Sequence, residues 1–75
     1  MESYANKGGT SAVVAYETTD DSITVRFRDG AGYVYTHASA GRDSVERMKE
    51  LARDGQGLNT FINRVVKHSY ARRAD

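Results

Sequence analysis

Apolar and polar residues alternate most cleanly over residues 23–28, with Ile23, Val25 and Phe27 on one side and Thr24, Arg26 and Arg28 on the other. A period of two marks a half-buried strand. Residues 11–17, which hold Val13, Val14 and Tyr16, predict a strand before it, and the run Thr18-Thr19-Asp20-Asp21-Ser22 is a turn by composition. Tyr33-Val34-Tyr35 predicts a third strand, whose two phenols share a face because alternate strand residues do. The period then changes. Val45, Met48, Leu51 and Ala52 recur at three- and four-residue steps, which predicts a helix over 43–53 with Arg47, Lys49 and Glu50 facing water. Asp43 and Glu46 have the spacing of a capping box at its start. Gly55 and Gly57 break that helix, and Leu58, Phe61, Ile62, Val65 and Val66 form a second stripe beside Arg64 and Lys67 that fades near Tyr70. The order strand, strand, strand, helix, helix predicts an α+β fold: a three-stranded antiparallel β-meander followed by two α-helices packed on one face.

The second hairpin admits two registers. A two-residue turn at Asp29-Gly30 sets Val25 opposite Val34 and puts both tyrosines on the face of Thr24 and Arg26. A three-residue loop, Arg28-Asp29-Gly30 with Gly30 in the left-handed bulge position, sets Val25 opposite Tyr33 and Ile23 opposite Tyr35. A one-residue slip turns every side chain over. The second register is favoured, because it collects Ile23, Val25, Phe27, Tyr33 and Tyr35 on one apolar surface and leaves Thr24, Arg26, Arg28, Val34 and Thr36 outward.

With 75 residues the chain makes a single domain, and so short a chain has few large side chains to spare. Residues 1–10, polar and containing Gly8-Gly9, read as a flexible N-terminal leader, residues 11–70 as the domain and residues 71–75 as a basic C-terminal tail. The absence of cysteine excludes disulfides and thiolate metal sites. No apolar run is long enough for a membrane span and no signal-peptide pattern is present, so a cytoplasmic protein with no membrane partner is the expectation. Net charge is only +1 but uneven, with no acidic residue across residues 55–74, where Arg64, Lys67, Arg72 and Arg73 lie with His68.

Taken in order, the strand from Ser11 to Tyr16, Phe27-Arg28-Asp29-Gly30, Tyr33-Val34-Tyr35, Gly55-Gln56-Gly57-Leu58-Asn59, Phe61-Ile62 and Tyr70 resemble the KTSC domain. That module is named for its occurrence at the C-terminus of some lysyl-tRNA synthetases and is also found as stand-alone bacterial proteins. The likeness spans most of residues 11–70 and implies a small α+β domain of uncharacterised function, with RNA as a suggested ligand.

The residues themselves argue against an enzyme. The serines fall in turn or capping contexts, and neither His37 nor His68 has an acid at a telling spacing. Two separated histidines suggest no metal site, and no cofactor motif is present. Phosphate contacts need clustered cations, and base contacts gain from exposed aromatics. Arg64, Lys67, Arg72 and Arg73 supply the charge, Tyr70 a ring, and Arg26 and Arg28 a secondary contribution. The leading expectation is a non-catalytic module binding RNA or another polyanion; the alternative is a protein–protein adaptor acting through a sheet edge.

Overall fold

The computed structural model describes residues 1–9 and 11–74; Thr10 and Asp75, the last residues of the expected leader and tail, lie outside them. The fold is α+β. Its sheet contains β1 (Glu2–Ser3), β2 (Val13–Thr18), β3 (Ser22–Phe27), β4 (Gly32–Thr36) and β5 (Arg72–Arg73), in that spatial order and antiparallel throughout. The meander expected from the sequence is the centre of this sheet. The two edges are short strands contributed by the segments assigned to leader and tail.

The second hairpin adopts the three-residue loop. Ile23 pairs with Tyr35 and Val25 with Tyr33. Phe27 N–H donates to Ala31 O at 2.8 Å, Gly30 N–H donates to Phe27 O at 3.0 Å, and Gly30 has φ +95°. Asp29 Oδ1 accepts from Ala31 N–H at 2.9 Å, so an aspartate side chain completes the turn. On β2 a bulge between Val13 and Ala15 shifts the register, and both Val13 and Tyr16 reach the core face although they lie an odd three positions apart.

Above that face lie α1 (His37–Ala40), α2 (Arg42–Asp54), α3 (Leu58–Phe61) and a π-helical turn over Ile62–Val66. One core joins Ile23, Val25 and Tyr35 of the sheet to Val45, Met48, Ala52, Leu58, Ile62 and Val66 of the helical layer. The expected second helix is therefore half α and half π. The wider turn carries Ile62 and Val66 into the core, while Val65, expected in the same stripe, is 54% exposed.

Several expectations are corrected. Tyr4, assigned to the leader, is buried, and its hydroxyl accepts from Leu58 N–H at 3.3 Å. Val34, expected outward, is buried between Thr24 and Arg72, its neighbours on β3 and β5. No capping box forms at Asp43; instead Thr36 and Ser39 form one at the start of α1, and α2 begins at Gly41 without a side-chain cap. Lys49, expected in water, is buried, because its ammonium donates to Asp20 O at 3.1 Å and lies 2.8 Å from Glu46 Oε2. His37 Nε2 donates to the same Glu46 oxygen at 2.8 Å. A mid-helix carboxylate is thus used to tie α2 to the β2–β3 turn and to α1, rather than to cap α2.

Hydrogen bonds from Lys49 and then His37 hold the Glu46 carboxyl down at about 2, below its ordinary 4.5. A depressed folded-state value means the stabilisation is complete above about 4.5 and is lost as pH falls towards 2. Glu46→Gln should therefore lower stability at neutral pH and flatten the acid limb of a pH–denaturation curve; an unchanged acid limb contradicts the network. Gly55 ends α2 at φ +82°, and a Cβ there would sit 2.6 Å from Ala5 Cβ. Gly55→Ala should cost roughly 1–3 kcal/mol from backbone strain alone, with the steric clash adding to it, as measured by denaturant unfolding.

Candidate functional site

The hairpin register sends Tyr33 and Tyr35 to the helix-covered face, but the two rings end differently. Tyr35 is 1% exposed and belongs to the core, whereas Tyr33 is half-buried at the margin of the helical layer. Beyond the π turn the chain returns to the sheet: Ala71 N–H donates to Val34 O at 2.7 Å and Ala74 N–H donates to Gly32 O at 2.8 Å. This return lays Tyr70 across the tyrosine pair, with ring centroids 4.7 Å from Tyr33 and 6.4 Å from Tyr35. Phe27 meets Tyr33 edge-on at 5.9 Å. Such edge and tilted contacts match the quadrupoles of the rings.

The four rings floor a groove of about 680 Å³ between the β3–β4 hairpin and the π turn. One wall carries Arg28, Asp29 and Ala31 of the hairpin beside Ala12, which precedes β2; the helical wall carries Ile62, Asn63, Lys67 and His68. The volume lies within the range of pockets that hold small organic ligands. Arg28 is braced by Nη2 donating to Ser11 O at 2.7 Å, and its remaining guanidinium donors lie on an exposed residue. Lys67 and His68 are exposed on the opposite wall, and the Arg73 guanidinium lies 5.3 Å from the Tyr33 ring centre, a cation–π distance.

The residues expected to bind an anion divide into two sets. Arg28, Lys67 and Tyr70 line the groove, and Arg73 pairs with Tyr33 at its margin. Arg64 is exposed on the π turn beside the groove, outside its lining. Arg26 and Arg72 belong to the other face of the sheet, Arg72 by its pairing with Val34 and Arg26 by alternation from Val25. Arg26 is also engaged, with Nη1 donating to Gly30 O at 2.8 Å and Nη2 to Ala74 O at 3.4 Å. A Cβ at Gly32 would lie 3.2 Å from that guanidinium, so the small residue opposite makes room for it. Arg26 thus clamps the hairpin to the C-terminal strand.

Asp29 and Asn63 line the groove but were absent from the expected set, and His68, expected only as a neighbour of the basic residues, joins them. For the helical pair, the spacing of Asn63, Lys67 and His68 along one helical segment was the available signal; for Asp29, nothing local marked a groove until the hairpin was placed. Among the described residues no three His, Asp or Glu side chains gather as metal ligands, and no helix is long and apolar enough to cross a membrane. What the groove offers chemically is a floor of mutually tilted aromatic rings with cationic and amide donors around it. No family model, curated protein or solved structure matches this chain.

Burial, with the neighbouring Tyr33 and Tyr70 phenols adding to it, pushes the Tyr35 phenol up to about 12. Its raised value means that the stability it contributes is present below about 10 and is lost as pH climbs towards 12. An ultraviolet phenolate titration should show one phenol ionising near 12, and Tyr35→Phe should remove that step.

Proposed function

We propose that this chain is a small, non-catalytic, cytoplasmic RNA-binding module resembling the KTSC domain, and that the aromatic groove is its binding surface. The observation supporting this reading is the convergence of Tyr33 and Tyr70 with Arg28 and Lys67 around one open cleft. Exposed rings stack on unpaired bases, and flanking cations take the phosphates, which is how single-stranded nucleic acid is held without extensive shape matching. Tyr70 is the ring best placed to stack, being 37% exposed and supported from beneath by Tyr33. A base inside a duplex presents no free face to such a floor, so the groove suits single strands.

The alternative, an adaptor that accepts a partner strand at an open sheet edge, has less support. Both edges of the meander are occupied by short strands, and β5 presents two arginines there, a device that discourages strand addition.

The test is a titration of short unstructured RNA at two salt concentrations. Two phosphate contacts, through Arg28 and Lys67, imply a loss of roughly fivefold to tenfold in affinity between about 50 and 200 mM salt. Lys67→Glu should shrink that salt dependence. Tyr70→Ala should weaken binding by roughly fivefold to a hundredfold through lost stacking, with the fold checked by circular dichroism. No binding at the lower salt concentration overturns the proposal.

A further inference from the structure

The groove contains one group that a phosphate-binding surface does not need. Asp29, at the tip of the β3–β4 hairpin, is the only acid among the described lining residues. Its carboxylate closes the turn, and because it repels phosphate its remaining acceptor sites suit a partner that presents hydrogen-bond donors. The carboxylate is also well held. Its Oδ1 accepts from Ala31 N–H at 2.9 Å, and the bulged turn around it is closed by the Phe27–Ala31 and Gly30–Phe27 backbone bonds. An ionised carboxylate offers about four lone-pair sites on two oxygens, so one bond to Ala31 leaves a bidentate acceptor available.

A bidentate acceptor next to a stacking floor discriminates among bases. On the Watson–Crick edge of guanine, N1–H and the N2 amine stand side by side as two donors. Adenine and cytosine each place one amine beside an acceptor, and uracil places one imide N–H between two acceptors. Only guanine matches both carboxylate oxygens at once. Asn63 and Lys67, on the facing helical wall, supply donors for the acceptors O6 and N7.

We propose that Asp29 is a specificity-determining residue that makes the groove prefer an unpaired guanine, a claim that rests on the RNA-binding reading above. The guanine ring stacks on Tyr70 while Asp29 accepts from N1–H and N2–H.

Fluorescence anisotropy with labelled oligouridylates tests this, using strands with a central guanosine, inosine, adenosine or uridine. Wild-type protein should bind the guanosine strand roughly tenfold more tightly than the uridine or adenosine strands, the discrimination typical of a bidentate base contact. Inosine lacks the N2 amine and should lose most of that advantage. Asp29→Asn keeps an acceptor for Ala31 N–H, and hence the turn, but turns an amide donor towards guanine's donors. It should abolish the guanosine preference and, by removing the acid's repulsion of phosphate, raise affinity for the all-uridine strand. Equal binding of the four wild-type complexes, or a guanosine preference that survives Asp29→Asn, overturns the assignment of Asp29 and leaves RNA binding standing. Failure of every strand to bind overturns the RNA-binding reading, and this inference with it.

Discussion

The pairing of Ile23 with Tyr35 and Val25 with Tyr33 decides what this small domain can be. A slip of one residue would put both phenols on the face without helices, empty the core of its largest fully buried side chain and leave no aromatic floor between hairpin and helix. The register is held by the three-residue loop, where Gly30 takes the left-handed conformation and Asp29 closes the turn. The same loop serves two ends. It aligns the core, and it presents Arg28 and Asp29 at the rim of the groove.

The chain termini complete what the meander starts. Tyr4 fills the core next to Leu58, and the last described residues return to β4, carrying Tyr70 over Tyr33. Arg26 binds carbonyls of both Gly30 and Ala74, so one side chain on the outer face couples the hairpin tip to the C-terminal strand. The groove is therefore built from segments distant in sequence. Its shape depends on that return, since Tyr70 lies two positions before the start of β5.

Polar groups do part of the work that a larger core would do elsewhere. Lys49 is buried with its charge matched by Glu46 and by the Asp20 carbonyl, and the aliphatic stem of a lysine adds apolar contact on the way. A buried ammonium is tolerable only when its donors are used, and here they fasten α2 to the β2–β3 turn and, through Glu46, to His37.

The central strands, the first long helix, the hairpin loop and the inward turn of Tyr35 were legible in residue order because each follows from a local rule: a period of two, a period near four, or a glycine able to take positive φ. Local rules do not reach further. Nothing near Glu2, Ser3, Arg72 or Arg73 shows that these residues form sheet edges, because two-residue strands exist only by virtue of the neighbour they pair with. Lys49 and Val65 traded places against the helical repeat, one drawn inward by a carbonyl from another turn and the other turned outward by the π segment. Sequence alone determined which residue types were available for stacking and for charge. Only the tertiary structure decided which of them meet, because a groove is made by long-range closure of the chain, and no spacing along the chain records that distance.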